Sequence, residues 1–399
     1  MSIAARSASG QRPDYAGTTI AVAFVLCVAL TVLFLGMLPF VGHPAASCDY
    51  VAYWATGQQL VHHANPYDGA AMARLEHAAA LRDGSPCYMR NPPWGLPLTL
   101  PLGLVSERVG ILPWSLLMLG LLFVSVRTMW NMVGRPGSRL DLLGYAFPPA
   151  LLCAVMGQTS LFLLLGLVLF LKLHRTRPFW AGAALWLCTL KPHLFLPFGI
   201  VLLVWIVVSR GYRVLLGAGV MGAVSVLFSL WVDPAAFSEY SEWAHSSGIA
   251  HQPIPCLGVL LRDMVNPSAE WLAFVPAVFA CSWTLWYFWR NRKQWDWVEN
   301  GVLVALVSMV AAPYCFIFDQ SLAIPALLYG ASRLSSRWPL TVLAGFYVVF
   351  EMQPLLAPQV LAPGWMQLFA ASAWLVWYMV ARRFDHPQQL VTAAVPVPG

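Results

Sequence analysis

Long apolar stretches recur along this chain of 399 residues, and several reach the roughly 18 to 20 residues that a membrane-spanning helix needs. Hydrophobic residues make up 59% of the sequence and charged residues only 10%, so the chain carries more apolar surface than a soluble domain buries. Gly and Pro interrupt other stretches, which indicates tilted or broken helices around a cavity. The sequence therefore predicts an all-α polytopic membrane protein.

The apolar stretches predict about twelve transmembrane helices. The segment Pro92 to Leu104 is interpreted as a short or dipping piece, because Pro97 and Pro101 break it and a full crossing there would invert every later loop. The predicted crossings are 18–40, 109–130, 141–156, 158–173, 178–190, 192–209, 212–231, 269–289, 298–312, 319–331, 337–355 and 363–381.

Arg and Lys residues cluster at alternate ends of these stretches, as the positive-inside rule expects of cytoplasmic loops. The first stretch, Thr18 to Phe40, is too long for a cleaved signal peptide and is predicted to be a retained helix. We predict a single integral domain over 18–383, cytoplasmic tails at 1–17 and 384–399, and exoplasmic loops at about 41–92 and 232–268. The net charge of +6 mainly reflects this topology, and no basic block is long enough to suggest a nucleic-acid partner.

The first exoplasmic loop contains the most informative segment, Cys48 to Gly69, with the sequence CDYVAYWATGQQLVHHANPYDG. Asp49 stands at the mouth of the first predicted membrane helix. Apolar and aromatic residues then recur at helical spacing as far as His63, which predicts an amphipathic helix on the membrane surface. A turn at Asn65 to Gly69 and a second helix from Ala70 to Leu81 follow.

Four elements, taken in order, resemble glycosyltransferase family 87, whose members are polyprenyl-phosphate-dependent mannosyltransferases. The match runs from about Thr18 to Arg383. Its elements are the first loop with its Asn-Pro-Tyr-Asp and Tyr88-x-x-Asn-Pro-Pro93 motifs, Gly157-Gln158-Thr159-Ser160, Gly182 through Lys191-Pro192, and Pro313-Tyr314 through Asp319. The resemblance implies a GT-C-like fold with an exoplasmic active site in the bacterial inner (plasma) membrane.

This resemblance implies that Asp49 is the general base of an inverting sugar transfer, accepting the proton of the attacking acceptor hydroxyl. The alternative is a structural one, because Asp is a favoured N-cap and a helix is predicted to begin at Tyr50. The two roles are partly compatible, and the residues alone leave both open.

The leaving lipid phosphate requires positive charge at the membrane surface, for which Arg90, Lys191 and His193 are the candidates. Lys191 follows an apolar stretch, so its ammonium group could equally extend to lipid headgroups. Arg90 has the fork geometry that suits a phosphate, although an ion pair with Asp83 or Asp68 is an ordinary alternative.

Aromatic and amide side chains commonly line carbohydrate sites, and the candidates for binding acceptor or sugar include Gln158 and Asp319. Gln158 could instead satisfy backbone groups at the start of a helix, and Asp319 could be the N-cap of a helix from Gln320. The full set of candidates is Tyr53, Asn65, Tyr67, Tyr88, Gln158 and Asp319.

No cofactor is predicted. The adjacent His62 and His63 point in different directions on a helix, no second ligand pair at metal spacing follows, and no Asp-x-Asp pair is present. Cys48 and Cys87 lie at the two ends of the first loop, where a disulfide would fix Asp49 in an oxidising compartment.

The sequence therefore predicts a membrane glycosyltransferase that uses a polyprenyl-phosphate sugar donor, with mannose as the expected sugar. Its expected partners are membrane lipids and a lipid-linked or surface glycan acceptor. A secondary transporter or flippase of a lipid-linked sugar or small solute is the alternative, since it would also have about twelve broken helices. Against it, no repeat relates the two halves, and the ionisable residues collect at one surface.

Overall fold

The computed structural model describes residues 48–79, 81, 86–134, 139–247, 254, 256–334, 338–356 and 363–383. Every regular element in these ranges is helical, as the sequence predicted. The α-helices are α1 (Cys48–Val61), α2 (Gly69–Ala78), α3 (Glu107–Val133), α4 (Leu142–Tyr145), α5 (Pro148–Met156), α6 (Ser160–Leu173), α7 (Pro178–Leu185), α8 (Leu196–Ser209), α9 (Tyr212–Val232), α10 (Ala236–Ser246), α11 (Leu257–Val265), α12 (Val275–Asn291), α13 (Val302–Val310), α14 (Ile324–Arg333), α15 (Trp338–Leu356) and α16 (Pro363–Arg383).

Within the described ranges, four helical segments are long and apolar enough to cross a membrane, namely Glu107–Val133, Pro192–Ser209, Tyr212–Val232 and Glu270–Gln294. The predicted crossing at 141–156 is instead broken into α4 and α5, because Pro148 and Pro149 restrict the backbone before them. The nine residues of α5 span about 14 Å, roughly half of a bilayer core. The predicted helix at 18–40 lies outside the described residues, and the total of twelve stays a prediction.

Helix α1 differs from the amphipathic surface helix that its sequence predicts, because residues 50–57 are buried on all sides. The segment from Thr99 to Glu107 covers the helix closely where Gly57 meets Gly103, and no space remains there for a Cβ atom. Trp54 Nε1 donates to the Val105 carbonyl oxygen at 2.9 Å, and Gln58 Nε2 donates to that of Gly103 at 3.0 Å. Protein atoms therefore hold α1, and the residues that it carries, in one position.

The segment that follows the first loop forms two short 3₁₀-helices, Pro93–Leu98 and Leu102–Leu104, in agreement with the predicted short piece. Asn91, just before it, is buried and donates through Nδ2 to the Leu190 carbonyl oxygen at 2.9 Å. This hydrogen bond ties the end of the first loop to the turn that carries Lys191.

Two glycines allow helices α7 and α9 to pack with their backbones in contact. A Cβ atom at Gly182 would collide with the Val214 carbonyl group, and one at Gly217 would collide with that of Phe179. Close approach through small residues is a common way for helices to associate in membranes. The packing fixes α7, which leads into Lys191.

Gly157 directs the chain from α5 into α6. Its φ of 72° lies in the left-handed region that favours glycine. Gly157 is the C-cap of α5, and its N–H donates to carbonyl oxygens of the last turn of that helix. The Gly157 carbonyl oxygen accepts a hydrogen bond from Trp114 Nε1 at 2.8 Å. This turn sets the direction of the next three residues, Gln158, Thr159 and Ser160.

Helix α2 contains a buried carboxyl group that makes the stability of the protein depend on pH. Glu76 is 3% exposed, its Oε1 accepts the Cys87 N–H at 2.9 Å, and burial raises its pKa from 4.5 to about 7. Between these values the folded protein keeps a proton that the unfolded chain loses, so stability falls as pH rises through that window.

We expect Glu76→Gln to reduce this loss, since the amide keeps an acceptor for Cys87 and cannot ionise. Thermal unfolding midpoints of the purified protein in detergent, measured from pH 5 to 8, would test this. Glu270→Gln, at an exposed position before α12, is the matched control and is expected to keep the wild-type slope. An unchanged slope in Glu76→Gln would contradict the prediction.

Candidate active site

A cavity of about 610 Å³ brings together segments that are far apart in the sequence. We call it the active-site cavity. Eight of the ten residues predicted for the site line it, namely Asp49, Tyr53, Tyr88, Arg90, Gln158, Lys191, His193 and Asp319. The first loop and the three later motifs therefore converge on one site.

Asp49 lies in the first turn of α1, which begins at Cys48, so it is inside the helix rather than at the N-cap before Tyr50. Burial raises the pKa of its carboxyl group, while hydrogen bonding from the Gln158 side chain and the charges of Lys191 and Arg90 act in the opposite direction. A carboxylate with a raised pKa is a stronger base than a solvated one, which suits proton abstraction from a hydroxyl group.

Lys191 points into the protein rather than towards a lipid surface, and its side chain is 12% exposed. Its Nζ atom lies 2.7 Å from Asp319 Oδ1, 3.1 Å from Ser160 Oγ and 3.3 Å from Gln158 Oε1. An ammonium group has three N–H donors, so these three acceptors match its capacity. Lys191 is therefore held in place by the protein itself.

Asp319 is 0% exposed, and both of its carboxylate oxygens have protein partners. Oδ1 accepts from Lys191 and, at 2.6 Å, from the Ser160 hydroxyl group, while Oδ2 accepts the Phe316 N–H at 2.9 Å. Asp319 lies inside the 3₁₀-helix Ile317–Ala323, and its side chain accepts the N–H of the residue that precedes this helix. It is therefore not the N-cap of a helix from Gln320. This geometry fits an anchor for Lys191 better than a ligand for an acceptor.

Gln158 connects Asp49 to Lys191. Its Oε1 atom accepts from Tyr53 Oη at 3.1 Å and from Lys191 Nζ at 3.3 Å. Gln158 is 8% exposed and Tyr53 is 4% exposed, so the hydrogen bonds between them are shielded from water. The Gln158 side chain also forms a hydrogen bond with Asp49, and both Gln158 and Tyr53 line the cavity.

Arg90 is the exposed cation of the site. Its guanidinium carbon lies 5.9 Å from the centre of the Phe316 ring, a distance that permits a cation–π contact. Its exposure and planar fork make it better suited than Lys191 to bind a phosphate group.

His193 lies flat against Tyr314, with ring centroids 3.6 Å apart and planes 29° apart. Its Nε2 atom is buried, and no hydrogen-bond partner for it is found in the part of the chain that the structure describes. The stacked ring therefore forms part of the wall of the cavity.

Asn65 and Tyr67 do not line the cavity, although the sequence pattern predicted contact with acceptor or sugar. Asn65 Oδ1 accepts the Tyr67 N–H at 2.7 Å, which makes a local turn of a type that Asn commonly forms. Tyr67 is 7% exposed and packs against Tyr240 and Trp243. Their structural role is to hold the first loop against α10.

Several lining residues were not predicted. Tyr314 and Phe318 belong to the late motif that was recognised, so a signal existed for them, and Asn91 lies in the Tyr-x-x-Asn-Pro-Pro motif. Tyr240 comes from α10 in the second predicted exoplasmic loop, where no pattern indicated a site.

Cys87 is disulfide-bonded, while Cys153, Cys188, Cys256, Cys281 and Cys315 are free. The side chain of Cys48, its predicted partner, lies outside the described residues. Among the residues that the structure describes, no three His, Cys, Asp or Glu side chains are grouped as metal ligands. Independence from metal stays a prediction.

The family model for glycosyltransferase family 87 matches residues 88–313, more than half of the chain. This range includes Arg90, Gln158, Lys191 and His193, whereas Asp49 and Asp319 lie outside it. No curated protein and no solved structure matches the chain.

Proposed function

This chain belongs to glycosyltransferase family 87 and is a membrane glycosyltransferase, and we propose that it transfers mannose from a polyprenyl-phosphate donor to a lipid-linked or cell-envelope glycan. The observation that carries the proposal is the meeting of Asp49 with Arg90 and Lys191 at one cavity. A base and a cationic partner for a leaving phosphate are the two groups that such a transfer requires.

In the proposed reaction, Asp49 removes the proton of an acceptor hydroxyl group. The hydroxyl oxygen attacks the anomeric carbon from the face opposite the phosphate and forms the new glycosidic bond with inversion. The bond between the anomeric carbon and the phosphate oxygen breaks, and its electron pair remains on the phosphate. Arg90 binds that phosphate through its guanidinium group, which stabilises the developing negative charge.

Tyr53 and Gln158 orient Asp49 in this proposal, and Lys191 supplies a fixed positive charge near it. Tyr88, Tyr314 and His193 provide aromatic surfaces against which a sugar ring can pack. The ion pair between Lys191 and Asp319 keeps the net charge of this region low, so the site can accept an anionic donor without a bound cation.

The proposal places the active-site cavity at the exoplasmic face of the bacterial inner membrane, with both termini cytoplasmic. The distribution of arginines supports this orientation, since Arg175, Arg210 and Arg213 lie at the ends of α6, α8 and α9 that are remote from the cavity. Positive charge is typical of the cytoplasmic side.

Purified protein incubated with radiolabelled polyprenyl-phosphate mannose and membrane lipid extract is expected to form a new glycolipid or glycan product, and to do so in the presence of EDTA. Parallel reactions would contain polyprenyl-phosphate arabinose in place of the mannose donor. Transfer from the arabinose donor alone would overturn the choice of sugar. If neither donor gives a product while the protein moves labelled lipid across vesicles, a transporter or flippase replaces the proposed transferase.

A further inference from the structure

A second cavity, of about 500 Å³, lies at the opposite end of the helices that build the active site. Helix α6 begins at Ser160, beside Asp319, and its 14 residues lead over about 21 Å to His174 and Arg175 in this second cavity. Helices α7 and α8 also run between the two cavities, since Pro178 and Ser209 line the second while Lys191 and His193 line the first. We call the second cavity the basic cavity.

Three arginines line the basic cavity and give it positive charge. Arg175 pairs with Asp296 at 2.7 Å, so its charge is already neutralised. Arg210 and Arg213 are exposed, and neither makes an ion pair with an acidic residue in the described part of the chain. Their two guanidinium groups therefore remain available to a bound anion.

Two tryptophans that line the basic cavity have indole N–H groups without an acceptor in the described part of the chain. These residues are Trp295 and Trp297, and both of their N–H groups are buried. Trp297 as a whole is 1% exposed. A buried N–H group without an acceptor costs free energy, and this cost is removed when a ligand supplies an oxygen.

The first turn of α9 adds a third contribution. Gly211 is its N-cap and provides no side-chain acceptor, and Gly211, Arg213 and Val214 all line the cavity. The Val214 N–H already donates to the Gly211 carbonyl oxygen at 2.9 Å, so the helix attracts an anion through its dipole and the earlier amides of its first turn.

We propose that the basic cavity binds a phosphate group, carried by an anionic phospholipid headgroup or by a soluble phosphate ester. Arg210 and Arg213 would neutralise the phosphate, and the indole N–H groups of Trp295 and Trp297 would donate to its oxygens. Phosphate is the anion whose several oxygens match two guanidinium forks and two indole donors at once. The site shares no lining residue with the active-site cavity, so it is separate from the transfer reaction.

The test compares wild-type protein in detergent with Arg210→Gln/Arg213→Gln. The matched control is Arg290→Gln/Arg292→Gln, which removes two arginines that lie over Trp286 and Trp289 and do not line the cavity. Native mass spectrometry would measure binding of phosphatidylglycerol, and thermal shift would measure binding of inorganic phosphate and glycerol 3-phosphate. We expect ligand affinity to fall about tenfold or more in the first variant and to be unchanged in the control.

Binding of phosphatidylglycerol that glycerol 3-phosphate does not displace would identify a lipid headgroup as the ligand. Binding of the soluble esters with displacement of the lipid would identify a soluble phosphate ester. Trp295→Phe, which removes an N–H donor and keeps an aromatic ring, is expected to weaken the same ligand and guards against misfolding of the double variant. Equal affinity in wild type and both test variants, or no binding of any probe to wild type, would overturn the proposal.

Discussion

Replacement of Asp49 by Asn is expected to lower kcat for sugar transfer by about 100- to 10,000-fold, the range typical for loss of a general base. The substitution keeps the size and most hydrogen bonds of the side chain but removes its ability to accept a proton. Because the neighbouring Tyr53, Gln158 and Lys191 remain, the cavity should still bind donor. Initial rates with labelled donor, measured across donor concentrations, would separate the loss in kcat from any change in KM.

The same variant separates catalysis from a structural role. In the first turn of α1, Asn loses only the interaction of the Asp charge with the helix dipole, typically about 0.3–1 kcal/mol, so a residue that only stabilised α1 would tolerate the change with normal activity. Asp141→Asn, in the partly exposed turn before α4, removes a carboxylate far along the fold and is the matched control. Activity of Asp49→Asn close to that of wild type would exclude Asp49 as the base.

The pH profile adds a readout that a folding defect would not reproduce. Asp49 acts only when ionised, and burial raises its pKa, so wild-type kcat/KM should fall as pH drops through that raised value. Asp49→Asn cannot ionise at this position, and its residual rate should lack this acidic limb. An identical limb in the variant would assign the titration to another group.

Many of the site residues could be predicted from the sequence because the polar and charged side chains of the site lie within short, recognisable motifs. Arg90, Gln158 and Lys191 each stand beside a residue typical of turns, namely Asn91, Gly157 and Pro192, and all three line the active-site cavity together with Asp49 and Asp319. Such turns bring polar side chains to the ends of apolar helices, where a cavity at the membrane surface can form.

Two expectations differ from the structure, and each depended on a hydrogen bond that the sequence pattern does not show. The periodicity of α1 indicated an exposed polar face, yet Gln58 is satisfied by carbonyl groups some 45 residues later in the chain. Periodicity reports how apolar each face is and does not identify what covers it. The turn residue Asn65 was selected for its amide group, which the local backbone uses instead.

The ion pair between Lys191 and Asp319 lies beyond such reasoning, since 128 residues separate its members. Removal of either member leaves a charge buried without its partner, which typically costs about 3–5 kcal/mol of stability. Lys191→Met and Asp319→Asn should each lower the thermal unfolding midpoint strongly. The double variant should lose less than the sum of the two, because neither charge then remains unpaired.

A surface ion pair supplies the control for this stability effect. Arg175 is 65% exposed where it meets Asp296, against 12% for Lys191, so Arg175→Met should cost only about 0–1 kcal/mol. Additive losses in the Lys191 and Asp319 variants would show that the two side chains are not coupled.

Activity should distinguish an anchoring role of this pair from phosphate binding by Lys191. The positive charge of Lys191 lowers the pKa of Asp49 and the negative charge of Asp319 raises it. Residual activity of Lys191→Met should therefore have its acidic limb at higher pH than wild type, and that of Asp319→Asn at lower pH. The double variant should return close to the wild-type position with an almost unchanged KM for donor. If Lys191 instead bound the leaving phosphate directly, Lys191→Met and the double variant would both show a raised donor KM, or a lowered kcat that the Asp319→Asn substitution does not restore. The acidic limbs of the two single variants would then not move in opposite directions.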